Sequence, residues 1–237
     1  MTKQLLIYEQ VVPISKERHK DWSLKQGSDY GFARQINSVP LMAVEFANAV
    51  NDYAIVFVES EAEIMPIAIL GVKQEENQFV TETGSWNAKY IPAFIRRYPF
   101  IFSSSDDGQT FTLCIDETFE GLNQEGKGER FFDAEGEQTQ YLTNVLEFLK
   151  EYQKQFQITQ FLGKKLKELD LLEPMKATFQ LKTGEESSLT GFSAVSTERL
   201  RKLSGEQLVD LMQTGQLDLL YLHLHSMRNF SLIIENT

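Results

Sequence analysis

The strongest constraint on the fold is a repeat of apolar residues that runs through residues 139–172. Apolar residues return there at three- and four-residue steps, the spacing that places side chains on one face of an α-helix. They are Leu142, Val145, Leu146, Leu149, Tyr152, Phe156, Phe161, Leu162, Leu166 and Leu169. The pattern predicts one long helix, either continuous or broken near Gly163. It should end before Pro174, because the residue before a proline is biased away from helical angles.

Short segments in the first half of the chain are typical of β-strands. Residues 53–58 and 64–70 are apolar runs between polar clusters, which indicates central strands buried on both faces. Residues 4–12 predict a strand at the start of the chain. Residues 78–83 and 110–115 alternate between apolar and polar side chains and predict half-buried antiparallel strands.

Several connecting segments have the composition of turns, loops or short helices. Asp107-Gly108 predicts a hairpin loop. The glycine-rich residues 120–129 do not match a phosphate-binding loop and predict a mobile loop or a lid. Residues 15–21 predict a turn or a short exposed helix, and residues 41–50 predict a short helix.

The last third of the chain predicts a small hairpin followed by helices. Residues 178–181 and 188–192 have the pattern of paired strands. Ser204 and Gln207 have the spacing of a capping box, and Gly215 is placed where that helix would stop. The segment that follows fits a strand or a helix, and its leucine content favours a helix.

These elements together predict an α+β fold. We expect a mainly antiparallel N-terminal sheet, the long helix and a small helical C-terminal lobe. The 237 residues are interpreted as a single domain, with a sheet-rich lobe at 1–135 and a helix-rich lobe at 136–237.

Composition restricts the classes of function. The net charge of −11 argues against nucleic acid as a partner, since that affinity depends on basic side chains. Cys114 is the only cysteine, so no intramolecular disulfide can form. Glu9 interrupts the first apolar segment, and no run approaches the ~20 apolar residues of a membrane span. We therefore expect a cytoplasmic location.

Residues 86–100 are the candidate binding segment, because they combine aromatic residues with two prolines and two adjacent arginines. The prolines restrict the backbone, so the aromatic side chains would be displayed outward with little entropy left to lose. Adjacent guanidinium groups can grip a carboxylate or stack on a ring. The predicted ligand-binding residues are Trp86, Tyr90, Arg96, Arg97 and Tyr98.

A second interpretation of the same segment is structural. Aromatic clusters usually belong to a core. On that interpretation Trp86, Tyr90, Phe94 and Phe100 fill the space between sheet and helix, and the arginines pair with internal acids.

The histidines give no clear reactive centre. His223 and His225 would share a face on a strand but diverge on a helix, and no further ligand completes a metal set. His19 lies near acidic residues, but no nucleophile can be placed beside it. We therefore assign no catalytic residue, metal or cofactor. If the protein is an enzyme, His19, His223 and Glu45 are its candidate polar participants.

A set of motifs along nearly the whole chain carries a family resemblance. The most specific is Tyr-Ile-Pro-Ala-Phe-Ile-Arg-Arg-Tyr-Pro-Phe at residues 90–100. The others are Pro-Leu-Met-Ala-Val-Glu-Phe at 40–46, Ala-Ile-Val-Phe-Val at 54–58, Leu-Gly-Val at 70–72, Asn-Gln-Phe-Val at 77–80, Gly-Ser-Trp at 84–86, Phe-Phe-Asp at 131–133 with Gly136, Leu-Leu at 171–172 with Pro174, and residues 215–226. Together they resemble the SapC family, with small departures at Gln78 and Trp22.

The resemblance implies a role linked to export. The family takes its name from secretion of bacterial surface-layer protein, and relatives are associated with peptide-modifying or nutrient-uptake gene groups. We therefore expect a non-enzymatic binding or accessory protein that recognises a polypeptide, such as a surface-layer protein. The alternative is a cytoplasmic enzyme or enzyme subunit that acts on a small or peptidic substrate. The resemblance supplies no catalytic residues.

Overall fold

The computed structural model of the chain describes residues 7–25, 27, 29–60, 63–104, 110–180 and 186–235. The strands are β1 (Val11–Pro13), β2 (Ser23–Leu24), β3 (Ser38–Pro40), β4 (Ala54–Glu59), β5 (Ile64–Ile69), β6 (Phe100–Ser104), β7 (Phe111–Asp116), β8 (Leu122–Asn123), β9 (Glu129–Arg130), β10 (Leu172–Gln180) and β11 (Glu186–Val195). The α-helices are α1 (Lys16–His19), α2 (Phe46–Ala49), α3 (Ala93–Arg96), α4 (Gln140–Glu168), α5 (Thr197–Arg201), α6 (Gly205–Gln213), α7 (Gln216–Ser226) and α8 (Asn229–Glu235). Every pairing between these strands is antiparallel.

Tertiary contacts divide the chain into two compact units, and each is built from two stretches of sequence. The first unit comprises Met1–Asp29 with Ile95–Gln153, and the second comprises Tyr30–Phe94 with Lys154–Thr237. The predicted lobes, in contrast, are continuous stretches. The single-domain interpretation stays a prediction.

The first unit contains two small sheets, with strand orders β1-β7-β6 and β8-β2-β9. The predicted pairing of β6 with β7 is confirmed, while the Asp107-Gly108 turn lies outside the described residues. Phe100, Ile115 and Phe131 form a buried cluster with Leu142 of α4. The apolar face of the long helix therefore covers a sheet, as its periodicity predicts.

The glycine-rich segment 120–129 is more ordered than the sequence suggests. Its two ends form β8 and β9, which pair with opposite sides of β2. The Asn123 side-chain oxygen accepts the N–H groups of Glu125 and Lys127, both at 3.1 Å. Gly128 has φ +92°, and a Cβ there would lie 2.2 Å from the Leu24 carbonyl oxygen. The ends of this segment are therefore paired strands and not an irregular loop, while a role as a lid stays a prediction.

The predicted strand over residues 4–12 is shorter than expected. Residues 4–6 lie outside the described part of the chain, and β1 begins only at Val11. The N–H groups of Glu9 and Gln10 donate to the Asp116 carboxylate at 2.7 and 3.1 Å. Because a side chain takes these two donors, they do not extend a strand.

The second unit is built on a five-stranded sheet of order β10-β11-β4-β5-β3. β4 and β5 lie inside this sheet, which confirms the prediction of central strands. The core on one side includes Ala54, Val56, Ile69, Phe192 and Phe230. The sequence also predicts a strand over residues 78–83, and this prediction is wrong.

Side-chain hydrogen bonding explains the missing strand. The Asn77 side chain accepts the Phe79 N–H at 2.9 Å and donates to the Ala33 carbonyl oxygen at 3.0 Å. This local turn competes with an extended conformation. Pairing is reduced to a single bridge between Val80 and Trp86.

The long helix α4 is continuous through Gly163, so the break considered there is absent. A Cβ at this position would lie 2.3 Å from the Ile64 carbonyl oxygen. Glycine therefore allows close approach of β5 to the helix. Pro174 lies in β10, an edge strand, where a missing backbone donor is tolerated.

The C-terminal helices follow the predicted signals. Ser204 and Gln207 form the capping box of α6, and Gly215 has φ +69° before α7. The helical interpretation of the leucine-rich segment is confirmed. The overall α+β prediction is also confirmed. Among the described residues, no helix combines the length and apolarity that crossing a membrane requires.

Candidate functional site

The five predicted binding residues fall in both units. Trp86 and Tyr90 belong to the second unit, whereas Arg96, Arg97 and Tyr98 belong to the first. Each group is therefore described within its own unit.

Trp86 lies at the centre of an aromatic cluster in the second unit. Its indole N–H donates to the Tyr53 hydroxyl at 2.9 Å. Its ring meets Tyr30 edge to face at 5.6 Å between centroids and stacks with Phe79 at 6.3 Å. We call these four residues the Trp86 cluster. Tyr53 is buried, whereas Trp86, Tyr30 and Phe79 each keep part of their surface exposed.

Two polar side chains at the Trp86 cluster, those of Tyr53 and Asp52, hold the neighbouring backbone in place through hydrogen bonds. The Tyr53 hydroxyl donates to the Tyr90 carbonyl oxygen. Burial raises the pKa of Tyr53 well above its ordinary value, so this hydroxyl stays neutral. The Asp52 carboxylate accepts the N–H groups of Lys89 and Tyr90 at 3.1 and 3.0 Å. The backbone around residue 90 is thereby fixed.

Glu45 anchors the same segment from inside the second unit. One carboxylate oxygen accepts the Met42 N–H at 2.8 Å. The other accepts the Tyr90 hydroxyl and the Ala93 N–H, both at 2.7 Å. Glu45 is only 3% exposed. Because both oxygens accept hydrogen bonds from the protein itself, this carboxylate acts as a structural anchor.

Arg97 occupies a different environment, inside the first unit. It is only 4% exposed. The centre of its guanidinium group lies 4.7 Å from the centroid of the Tyr152 ring and 5.6 Å from that of Tyr8. The Tyr98 ring also meets Tyr8 edge to face at 5.2 Å. We call these four residues the Arg97 cluster.

The Arg97 side chain is therefore not displayed at the surface of this unit. The guanidinium group is planar and weakly hydrated, so it can be buried against aromatic faces. Arg96 is exposed, and its guanidinium centre lies 5.4 Å from the centroid of Phe148. Adjacent arginines thus have opposite exposures.

Tyr98 is half-buried and lies beside an acid. Its hydroxyl donates to the Asp116 carboxylate at 3.4 Å, and its ring packs edge to face on Phe119. Burial raises the pKa of Tyr98 to about 12, and the Asp116 charge adds to this effect. Burial opposes ionisation of Asp116, but hydrogen bonds from the Glu9 N–H and Thr118 lower its pKa. Asp116 is therefore an ionised acceptor that organises the chain around it.

A comparison with family models matches residues 14–232 of the chain to SapC. The chain belongs to the SapC family. Comparisons with curated proteins and with solved structures gave no match. In this SapC-family chain, the motif at residues 90–100 contributes residues to the surroundings of Glu45 and to the Arg97 cluster.

His223 of this SapC-family chain is a buried structural residue. Its Nδ1 donates to the Ile55 carbonyl oxygen at 2.7 Å, and its Nε2 accepts the Val195 N–H at 3.0 Å. Burial lowers the pKa of His223 to about 4. His225 is exposed on the same helix, so the two imidazoles diverge. No group of three or more metal-ligating side chains occurs in the part of the chain that the structure describes.

His19 is also fully buried. Its Nε2 lies 3.2 Å from the Glu117 carboxylate, which also accepts a hydrogen bond from Arg18 at 2.5 Å. Its Nδ1 lies close to the backbone of Ser15. These contacts tie α1 to Glu117, the residue that follows β7, and use both ring nitrogens.

Sequence reasoning missed most of the partners in both clusters. Tyr30, Tyr53 and Phe79 surround Trp86, but they come from separate segments. Tyr8 and Tyr152 surround Arg97 from nearly opposite ends of the first unit's sequence. The only sequence signal for these partners is that each is an aromatic residue in a short apolar or helical pattern.

Proposed function

We propose that this SapC-family protein is a non-enzymatic, polypeptide-binding protein and that Trp86 makes its principal contact. The observation that supports this proposal is the setting of the Trp86 indole, which is partly exposed. Its N–H donates to the buried Tyr53, and its ring packs against those of Tyr30 and Phe79. A side chain fixed in this way loses little entropy on binding. Tryptophan and tyrosine are also the residues that most often dominate protein-binding surfaces.

The other predicted residues contribute in different ways. Tyr90, Arg96 and Tyr98 keep exposed surface and are proposed contacts, with Arg96 suited to a carboxylate of the bound polypeptide. Arg97 is proposed to act indirectly, because its guanidinium group supports the rings of Tyr8 and Tyr152.

The proposed partner class follows from charge and family. A chain of net charge −11 is poorly suited to nucleic acid. The family name suggests a surface-layer protein destined for export, recognised in the cytoplasm. The three candidate participants of the alternative, an enzyme, have hydrogen-bonding atoms in contact with the protein's own groups; they are Glu45, His19 and His223.

The proposal can be tested with a displayed library of random peptides. Peptides enriched on the wild-type protein are synthesised, and their affinities are measured by fluorescence anisotropy. Trp86→Ala should weaken binding about tenfold or more, the effect of losing a main aromatic contact. Arg96→Ala should weaken binding of peptides that carry a carboxylate. Arg201→Ala removes another exposed arginine, on α5, and should leave affinity unchanged.

Two outcomes would overturn the proposal. One is that no peptide is enriched above the background of an unrelated acidic protein. The other is that enriched peptides bind the folded Trp86→Ala variant as tightly as the wild type. Circular dichroism and thermal melting establish that each variant is folded.

A further inference from the structure

Three polar side chains at the C-terminal helices of the second unit are buried together. His223 and Ser226 lie on α7, and Asn229 is the first residue of α8. Each follows the one before it by three residues, and each is at most 1% exposed. Polar groups are buried at this depth only where they are hydrogen-bonded. We call these three residues the buried stripe.

His223 lies between two strands of the five-stranded sheet. Ser193 of β11 pairs with Phe57 of β4. The same antiparallel register, continued by two residues, would place Val195 opposite Ile55. The imidazole joins these two residues instead, because Nδ1 donates to the Ile55 carbonyl oxygen at 2.7 Å and Nε2 accepts the Val195 N–H at 3.0 Å. A histidine side chain therefore takes the place of a direct bond between two strands.

The other two members of the buried stripe bind the backbone at the start of β4. The Ser226 hydroxyl accepts the Ile55 N–H at 2.9 Å. The Asn229 side-chain amide donates to two backbone carbonyl oxygens, each at 2.8 Å, and one of them is that of Tyr53. Tyr53 belongs to the Trp86 cluster, where its hydroxyl accepts the indole N–H. The buried stripe thus holds the backbone that positions this hydroxyl.

This arrangement requires a neutral His223. Nε2 must accept the Val195 N–H, so only Nδ1 can carry a hydrogen. A proton added at Nε2 would face that N–H and would create a buried charge. Burial lowers the pKa of His223 to about 4, and the hydrogen bond to the Ile55 carbonyl oxygen opposes this shift. Stability is therefore lost as pH falls from the ordinary histidine value of about 6.5 towards the folded value.

The described contacts of the His223 ring offer no carboxylate to balance such a charge. Besides the two backbone groups, the Phe57 ring lies 4.9 Å from the imidazole. α7 packs against α2, α6, β4 and β11. α2 and residues 188–195 of β11 contain no charged side chain, and the Glu59 carboxylate of β4 accepts a serine hydroxyl of β11. The titratable side chains of α6 and of the rest of α7 are exposed; they are Glu206, Asp210, Asp218, Tyr221 and His225.

We infer that the buried stripe is a proton-sensitive support of the Trp86 cluster, so that protonation of His223 loosens residues 50–55 and weakens polypeptide binding. The step moves one proton from solvent to Nε2 and needs no other reactant. Because the three side chains belong to one short run of sequence, displacement of His223 also disturbs the contacts of Ser226 and Asn229. The effect on binding rests on the proposed function, whereas the effect on the setting of Trp86 does not.

Acrylamide quenching of Trp86 tests the inference without a ligand. Trp22→Phe leaves Trp86 as the only tryptophan of the chain. In this background, quenching should increase as pH falls from about 7 to about 5, an interval that lies above the ordinary pKa of carboxyl groups. Circular dichroism at each pH shows whether the chain stays folded.

Two histidine variants separate His223 from other titrating groups. His223→Gln keeps a donor and an acceptor in one side chain but does not titrate, so quenching of Trp86 should stay constant over this interval. His225→Gln removes an exposed histidine of the same helix and should keep the wild-type increase.

Peptide affinity provides the second readout. The probe is an enriched library peptide without histidine or acidic residues and with acetylated and amidated ends, so the peptide itself does not titrate. Its affinity for wild type should fall about tenfold between these pH values, and its affinity for His223→Gln should not change with pH. If only the proposed function fails, no peptide is enriched, but quenching still increases in acid. If only this inference fails, peptides bind and quenching is constant.

Three outcomes overturn the inference. The first is constant quenching in the folded Trp22→Phe protein, and the second is an undiminished acid-dependent increase in folded His223→Gln. If His223→Gln does not fold, an NMR titration of the imidazole signals in the Trp22→Phe protein decides. His223 should bind its proton over the same pH interval as the increase in quenching, and a ring that stays neutral through that increase is the third outcome.

Discussion

The Trp86 cluster and the Arg97 cluster have similar ingredients and different exposures. Both place aromatic rings around one residue of the same continuous segment. In the Trp86 cluster, three of the four rings keep exposed surface above the buried Tyr53. In the Arg97 cluster, the guanidinium group and two of its three tyrosines are buried.

This difference separates a candidate recognition surface from a structural support. Partly exposed rings on a fixed base can contact a partner directly. A buried guanidinium group between tyrosines stabilises the fold around it and can affect binding only through its neighbours. Amino-acid composition alone does not distinguish the two clusters, because Trp86 and Arg97 belong to one segment rich in aromatic and basic residues.

The largest expected effect comes from Arg97→Ala. It removes a desolvated cation from two aromatic faces and leaves a cavity, so the free energy of unfolding should fall by about 3 kcal/mol. Arg96→Ala is the matched control, and its stability should be the same as that of wild type within error. Urea unfolding followed by circular dichroism measures both. Equal losses for the two arginines would break the comparison.

A smaller effect is expected for Tyr53→Phe. The hydroxyl accepts from Trp86 and donates to the backbone of residue 90, so its loss should cost about 1–2 kcal/mol. In a Trp22→Phe background, acrylamide should also quench Trp86 more strongly. Tyr221→Phe changes an exposed tyrosine and serves as the control. If quenching is unchanged, the hydroxyl does not hold the indole in place.

The dependence of stability on acid pH tests the role of Asp116, which contacts Tyr98 of the Arg97 cluster. Because hydrogen bonds lower the pKa of Asp116 in the folded state, the ionised carboxylate stabilises the fold at pH values above the ordinary pKa of aspartate. That stabilisation is lost as pH falls through the lowered folded-state pKa. Asp116→Asn should therefore show a shallower loss of stability in acid than wild type. Parallel urea titrations across the acid range provide the measurement, and identical slopes would contradict the prediction.

The smallest effect is expected for Tyr98→Phe. Its hydrogen bond to Asp116 is long, at 3.4 Å, and Asp116 has several other donors. The free energy of unfolding should change by less than about 0.5 kcal/mol, as for most peripheral substitutions. Thermal melting with a matched wild-type sample can detect a larger loss, which would place Tyr98 among the principal supports.

Much of the fold could be predicted where a pattern is local. Apolar periodicity located α4, continuous apolar runs located β4 and β5, and the Ser204 capping box located α6. The predictions failed where a side chain, and not a neighbouring strand, accepts the backbone N–H groups. Asn77 forms a turn before the predicted strand at 78–83, and Asp116 takes the donors of residues 9 and 10. Neither effect has a periodic signal.

The candidate site was less predictable. The segment at 86–100 could be singled out by composition, but its division into exposed and buried parts could not. Burial of Arg97 depends on Tyr8 and Tyr152, which are remote in sequence. The setting of Trp86 likewise depends on Tyr53 from another segment.

Trp86 fluorescence in the Trp22→Phe variant tests the central claim most directly. A saturating peptide from the displayed library should protect Trp86 from acrylamide and shift its emission to shorter wavelength. The reciprocal Trp86→Phe variant, which reports only Trp22, should show no protection. Unchanged quenching of Trp86 at saturation would contradict the account, because a bound polypeptide would then leave the proposed contact in solvent.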